Sequence, residues 1–296
     1  MLIDRLAIIG VGLIGGSLAR ALKKAKACNS ITGFGRDEAN LKRAVNMGVI
    51  DEYSTDLSPV VRDADVVVLA TPLMTVEPLL EDMVGQLRPH AVITDVGSAK
   101  GSIVQAARSV LGADLKNFVP GHPIAGMEKS GVDASFAELF VDHLVILTPL
   151  PENSPMAIDL VTRMWEACGA RVVSLEVEHH DQVLAATSHL PHVLAYALVD
   201  CLAGMDEHDE IFRFSAGGFR DFTRIASSSP EMWSDICVSN RDKLLTVIDQ
   251  FKHHLDGIGR LIKDQDRDHL MEIFSRVKQT RDQVLAEQNN LLARKK

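Results

Sequence analysis

Leu6-Ala7-Ile8-Ile9-Gly10-Val11-Gly12-Leu13-Ile14-Gly15-Gly16-Ser17 is the stretch on which the fold turns. Four apolar residues of buried-strand character run into a Gly-x-Gly-x-x-Gly turn, and an Ala/Leu-rich segment of helical character follows. Each glycine has a separate task. Gly10 permits the tight turn, Gly12 lets the backbone approach a pyrophosphate, and Gly15 lets the helix pack closely on the strand. Leu13 and Ile14 lie between them, where the first helical amides and the positive end of the helix dipole face the phosphates. The stretch therefore predicts a dinucleotide-binding βαβ unit.

Further along, short apolar runs recur at Ile31–Phe34, Val66–Ala70, Ala91–Asp95, Phe118–Val119 and Leu144–Thr148, with Arg171–Leu175 as a seventh. Helix-like segments such as Gly16–Lys26 and Asp37–Asn46 lie between the early ones. Alternation of this kind implies a mostly parallel sheet with helices on both faces. Pro149–Pro155 reads as a loop, followed by a helix near Met156–Cys168. Beyond Val177 the strand signal stops, and helical patterns fill His179–Leu202, Glu231–Lys263 and Asp264–Arg294, with a polar loop at Gly204–Glu207. The expectation is an α/β Rossmann domain over 1–175 and an all-α domain for substrate binding and dimerisation over 176–296. The apolar His192–Leu202 segment suits a domain core or a subunit interface, and a homodimer is expected by analogy with other dehydrogenases of this layout.

The 296 residues are 46% hydrophobic and 24% charged, which is ordinary globular composition with enough apolar material for two cores. A net charge of −9 without a basic stretch argues against nucleic acid as a partner. The four cysteines are far apart and form no Cys-x-x-Cys, so neither disulfides nor a cysteine-built metal site is expected. The N-terminal apolar run resembles a signal peptide, but its glycines are those of the turn above. No segment reaches the roughly 18 apolar residues of a membrane span. A cytoplasmic enzyme is the expectation.

The second strand bears on which dinucleotide binds. An acid at its end would bond the adenosine ribose hydroxyls. Here Ile31–Phe34 runs into Gly35-Arg36-Asp37. Gly35 leaves room for a 2′-phosphate and Arg36 supplies a cation to pair with it, so NADP is the predicted cofactor. Asp37 keeps NAD as the alternative. Thr71 and Pro72, just past Val66–Ala70, are assigned to the same cofactor edge.

Three polar islands adjoin apolar runs. Asp95-Val96-Gly97-Ser98-Ala99-Lys100-Gly101 and Gly121-His122-Pro123-Ile124-Ala125-Gly126 each follow a strand, where doubly wound sheets bind ligands. A histidine between glycine and proline is poorly suited to core packing, and its near-neutral pKa suits a base for a hydroxyl proton. His122 is thus the candidate catalytic residue. The third island holds His179-His180-Asp181 and Ser188-His189-Leu190-Pro191-His192. The i,i+3 pair His189/His192 raises a metal site, but there is no His-Glu-x-x-His and a histidine base needs no metal, so none is expected. Further on, Gly217-Gly218-Phe219-Arg220-Asp221-Phe222-Thr223-Arg224 is a Gly-Gly loop opening a helix with two arginines, which suits carboxylate capture.

Taken together, GVGLIGGS, DVGSAKG, GHPIAGMEKSG, TSHLPH, GGFRDFTRIA and Trp233 resemble the prephenate/arogenate (cyclohexadienyl) dehydrogenase family over nearly the whole chain. The resemblance implies oxidative decarboxylation of prephenate or arogenate with hydride transfer to NAD(P), in tyrosine biosynthesis. It implies that His122 is the catalytic base and that Ser98 binds the same substrate hydroxyl. It implies that His192 and Arg224 hold substrate carboxylates, that Glu128, His180, Asp181 and Asp221 shape or gate the pocket, and that Gly217 and Trp233 line it. Gly35 departs from the family pattern, in which an acid is common. The competing readings are a β-hydroxyacid dehydrogenase, which would use a lysine-centred site and leave GHPIAG without a role, and a non-catalytic NADP-binding sensor.

Overall fold

The structure is a computed structural model that describes residues 1–127 and 129–293, with side chains described through 287. By contacts the chain divides into two units, Met1–Leu244 and Leu245–Lys296.

In the first unit, β1 (Ile3–Ile9), α1 (Leu13–Lys24), β2 (Cys28–Phe34), α2 (Glu38–Asn46), β3 (Glu52–Ser54), α3 (Leu57–Val61), β4 (Val66–Leu69), α4 (Val76–Met83), β5 (Val92–Asp95), α5 (Gly101–Val110) and β6 (Phe118–Val119) alternate along the chain. The six strands form one parallel sheet in the order β3-β2-β1-β4-β5-β6. That is the doubly wound arrangement the alternation predicted. Strands covered on both faces must be apolar throughout, and Val66–Leu69 is buried at every position. Two buried clusters line the two faces of the sheet: Ile8, Leu18, Ile31 and Val68 belong to one, and Ala7, Ile9, Val67 and Ile93 to the other. Residues alternate between the clusters with the period of two that a strand imposes.

Past Val119 the chain leaves this sheet. β7 (Gly121–Pro123), β8 (Leu144–Leu147) and β9 (Arg171–Ser174) form a separate three-stranded sheet, with α6 (Pro155–Ala167) between the last two. β7 pairs antiparallel to β8, and β8 parallel to β9. The sequence had suggested that Leu144–Thr148 and Arg171–Leu175 extend the first sheet. Pro120 has no N–H with which to continue a ladder, and its carbonyl accepts from Thr148 N at 2.9 Å, which turns the chain into the second sheet.

A long helical run follows: α7 (Val177–Leu184), one π turn (Ala185–His189) and α8 (Leu190–Ala203). Then come α9 (His208–Arg213), α10 (Gly217–Thr223), a 3₁₀ turn (Arg224–Ser227) and α11 (Pro230–Ser239). α8 is strongly apolar, yet only Ala195 in it is buried. α12 (Arg241–Lys263) begins in the first unit. The second unit holds the rest of α12 and α13 (Arg267–Ala293), joined by a turn in which Asp266 Oδ1 accepts from His269 N at 3.1 Å. Leu255, Ile262, Met271, Phe274 and Val277 are exposed on these two helices.

Candidate active site

The register of the sheet brings the C-terminal ends of four strands to one edge. Ile9 is level with Phe34 and Leu69, and Leu69 with Asp95. The glycine turn, Gly35–Asp37, Thr71–Pro72 and the Gly97–Ser98 loop therefore share that edge. Gly10 has φ +100°, and a Cβ there would sit 2.4 Å from the carbonyl oxygen of Ala70. A Cβ on Gly15 would sit 2.2 Å from the carbonyl oxygen of Gly10. At Gly12, by contrast, a Cβ would meet nothing within 4 Å, and no side chain caps the N-terminus of α1. Leu13 and Ile14 form the first turn of that helix. Its unfilled amide end, beside a backbone with no side chain in the way, fits a dinucleotide pyrophosphate.

At the end of β2, Gly35 has no close neighbour, for an added Cβ would only touch Leu41 at 3.6 Å. Arg36 is exposed. Asp37 caps α2 by accepting from Asn40 N at 3.1 Å, and Asn40 in turn donates to Val11 O at 2.8 Å, tying α2 to the glycine turn.

His122 lies on β7, buried, and β7 contacts the end of β5. Its Nδ1 is 2.9 Å from His180 Nε2, and His180 Nδ1 is 2.8 Å from Asp181 Oδ1. Both histidines and the carboxylate are buried. Asp181 is held at the start of α5, where Oδ1 accepts from Lys100 N and Oδ2 from Gly101 N, each at 2.8 Å. Burial alone would raise the Asp181 pKa, but His180 and these two amides outweigh it and hold the carboxyl below its ordinary value. The protons then follow by deduction. An ionised Asp181 can only accept, so His180 carries its proton on Nδ1. His180 Nε2 therefore accepts, and His122 Nδ1 must donate to it. That leaves His122 Nε2 as a lone pair. Burial, followed by the neighbouring His180, Lys100 and His189, holds the His122 pKa well below its ordinary value, so the ring is neutral at neutral pH.

A second cluster adjoins this one. The π turn adds one residue to the helix between Asp181 and His192; such turns are frequent at functional sites. His189, on that turn, is buried and pushed down to about 4 by burial. Its Nδ1 accepts from Asn240 Nδ2 at 3.1 Å, and the same amide donates to Asp181 O at 2.8 Å. His192 stacks on Trp233 with ring centroids 3.6 Å apart and an interplanar angle of 19°. Its Nδ1 donates to Ser188 O at 2.9 Å, and burial lowers its pKa.

The structure thus brings His122, His180 and Asp181 into one hydrogen-bonded chain, and joins that chain through Asn240 to His189. His189 in turn stands edge-on to Trp233, with ring centroids 6.2 Å apart, beside His192. Ser98 follows Gly97, whose N–H donates to Asp95 Oδ2 at 2.7 Å. Gly217, Asp221 and Arg224 are exposed on α10 and the 3₁₀ turn after it, a segment that packs against α8, the helix that carries His192. Glu128 lies outside the described residues. Sequence reasoning gave no role to Asp95, Lys100 or Asn240, and weighed His189 only as half of a metal-binding pair that it set aside. The island that holds Asp95 and Lys100 was visible, but a lysine in a polar stretch reads as solvated, and Lys100 is fully buried. Among the described residues no cluster of three or more His, Cys, Asp or Glu side chains is arranged to hold a metal ion.

A doubly wound nucleotide-binding sheet, with a buried neutral histidine beside its carboxyl edge and a helical second half, defines a two-part oxidoreductase. Two family profiles then match in tandem: the prephenate dehydrogenase nucleotide-binding domain over residues 18–174 and the prephenate dehydrogenase dimerization domain over residues 176–276. The chain belongs to the prephenate dehydrogenase family. It is 41% identical to the cyclohexadienyl dehydrogenase of Zymomonas mobilis over 285 residues, 93% of this chain and 94% of that one. Among solved structures it is similar to prephenate dehydrogenase from A. aeolicus in complex with hydroxyphenyl propionate and NAD+, with a TM-score of 0.89, 37% identity, and coverage of 95% and 98% of the two chains. It is also similar to Synechocystis arogenate dehydrogenase, with a TM-score of 0.79, 30% identity, and coverage of 94% and 99%.

Proposed function

We propose that the protein oxidatively decarboxylates prephenate, arogenate or both, giving 4-hydroxyphenylpyruvate or tyrosine, with NADP preferred over NAD as hydride acceptor. The observation that carries the reading is the His122–His180–Asp181 chain, which leaves a neutral imidazole nitrogen as a base at the carboxyl edge of a nucleotide-binding sheet.

The substrate carries a ring hydroxyl at C4 and a ring carboxylate. A dinucleotide held by Gly10, Gly12, Leu13, Ile14, Gly15, Thr71 and Pro72 would supply the acceptor for the hydride that leaves C4. His122 Nε2 takes the hydroxyl proton as the carbon loses hydride, because the hydroxyl becomes strongly acidic at that moment. The positive charge that develops on His122 is met by His180 and, behind it, by the Asp181 carboxylate. The ring then loses CO2 and becomes aromatic, and the proton on His122 returns to what is now a phenol oxygen. Aromatisation makes the reaction strongly downhill, so the protein's contribution is positioning, worth roughly 7–11 kcal/mol in well-oriented systems, and charge stabilisation.

Ser98 is assigned to the same hydroxyl, and His192 and Arg224 to the carboxylates. A carboxylate beside His192 Nε2 would offset the burial that keeps this ring neutral, and so bind as an ion pair. Trp233 holds the His192 ring in place by stacking, while Gly217 and Asp221 border the Arg224 segment. The preference for NADP rests on Gly35, which leaves space, on Arg36, which is exposed, and on Asp37, which is engaged in capping α2.

The proposal extends to a cytoplasmic homodimer. Among the described residues no helix is long and apolar enough to cross a membrane, and none of the four cysteines is in a disulfide. The apolar but sparsely buried α8 and the match to a dimerization domain support self-association.

The test is absorbance at 340 nm with prephenate and with arogenate, each with NADP and with NAD. Reduction is expected with at least one of the two substrates, and none with a hydroxyisobutyrate-type acid. Arg36→Ala should raise KM for NADP about tenfold or more while sparing NAD. Absence of reduction with both ring substrates overturns the reading.

A further inference from the structure

One residue away from His122 lies a buried ion pair that the proton relay does not use. Lys100 and Asp95 both have 0% side-chain exposure. Lys100 Nζ bonds Asp95 Oδ2 and also donates to Gly121 O at 2.6 Å. Asp95 Oδ2 accepts from Gly97 N at 2.7 Å, and Oδ1 from Gly121 N at 3.2 Å. Both backbone polar groups of Gly121, the residue before His122, are thus held by the pair. So is the amide of Gly97, the residue before Ser98. The backbone amide of Lys100 itself clamps Asp181, the far end of the relay.

Stability is a poor explanation for such a pair. Taking two charges out of water costs about as much as their attraction returns, and well-packed apolar replacements are often as stable or more so. What an apolar pair could not do is bond three backbone groups at once and place a fixed charge beside the reacting centre.

We propose that Asp95 and Lys100 are positioning residues, which fix the backbone before His122 and before Ser98 in one frame and set the electrostatic field on His122. The proposal rests on the reading of His122 as the base. The groups that face His122 are His180 from α7, His189 from the π turn and Lys100 from the loop before α5. Asp181 acts through His180, and Asp95 through Lys100. After burial, which is the largest influence, His180, Lys100 and His189 all disfavour a proton on His122. Replacing Lys100 by an apolar residue removes one of these and leaves Asp95 as a bare anion, so the His122 pKa must rise. Replacing Asp95 by asparagine removes the anion that holds a proton on the fully buried Lys100, whose pKa burial already lowers; the lysine charge beside His122 is then lost, so the His122 pKa must rise.

The experiment compares wild type, Lys100→Met and Asp95→Asn by steady-state kinetics with prephenate or arogenate, by cofactor affinity, and by NMR titration of the His122 ring in histidine-labelled protein. In Lys100→Met the expected outcome is near-normal cofactor affinity and KM, and kcat lower by roughly 10- to 100-fold. The His122 titration, and with it the acid limb of kcat/KM, should move up by on the order of half a pH unit or more. In Asp95→Asn the titration should move in the same direction, because the lysine loses its charge. If Lys100→Met does not accumulate as folded protein, the sign of the shift in Asp95→Asn decides alone. A folded variant with kcat and titration both at wild-type values overturns the proposal, and so does a loss of kcat with an unmoved titration, the mark of a packing defect. If wild type turns over neither substrate, the functional reading fails, while the His122 titration still judges the pair.

Discussion

At the scale of single residues the proposed chemistry depends on one free lone pair. His122→Asn keeps a polar side chain of similar size but has no nitrogen that can accept a proton. It should lower kcat by roughly 10²- to 10⁴-fold. Cofactor affinity, read by quenching of protein fluorescence, should hardly change, because the glycine turn belongs to other strands. His180→Ala should have a smaller effect, about tenfold to a hundredfold, since the base survives but nothing fixes its tautomer or shares its charge. Wild-type kcat in His180→Ala would remove the relay from the mechanism. How much of this could be read from the sequence depends on separation along the chain. His122 stood out because glycine before it and proline after it are local signals. Its partner is 58 residues away, and no spacing rule connects them. Lys100 was obscured for a different reason: the composition around it looks solvated, and only the folded chain shows that Asp95 and Gly121 satisfy its ammonium in the interior.

Among the elements, the glycine turn was legible because its constraint is steric and contained within a few residues. The structure supplies the distances behind it. An alanine at position 10 would have to adopt φ near +100° with its Cβ 2.4 Å from the Ala70 carbonyl oxygen. Gly10→Ala should therefore push β1 and β4 apart at the cofactor edge. A destabilisation of roughly 1–3 kcal/mol and a loss of dinucleotide binding are expected, measured by urea unfolding and by titration with NADPH. Gly12→Ala, where the space is open, is the control for stability: it should fold normally while still weakening pyrophosphate binding. Retained affinity in Gly10→Ala would mean that the turn does not carry the cofactor. The second sheet was not legible in the same way. β7 is three residues long and ends in proline, so it has neither the length nor the alternation that marks a strand. What makes it a strand is its pairing with β8, a tertiary contact. The π turn is equally invisible in the pattern, since one extra residue in a helical run alters no apolar period over so short a span.

For the whole molecule, the sparsely buried apolar α8 predicts that two copies associate, and light scattering after gel filtration should give twice the chain mass of 32.3 kDa. A monomer at micromolar concentration would leave α8 unexplained. Acid should act on the molecule through the buried histidines of the candidate site. His122, His189 and His192 are all held below their ordinary values by burial, His189 to about 4. In the unfolded chain these rings take up protons near pH 6.5, whereas the folded chain resists protonation until lower pH. Between those values the unfolded state binds more protons, so stability must fall as pH falls. The contribution is complete above about pH 6.5 and is lost progressively below it, with His189 alone accounting for on the order of 3 kcal/mol by pH 4. Exposed His269, which Asp266 raises, works in the other direction, but as a surface pair it is a small correction. Asp181, held low, adds its own loss only when its carboxylate begins to protonate, below the histidine window. Calorimetry should therefore show Tm flat from pH 8 to about 6.5 and declining steadily toward pH 4.5, with the decline shallower in His189→Gln, which cannot titrate. A Tm that stays flat down to pH 5 would mean that these rings are already solvated in the native protein, and the buried base would lose its support along with them.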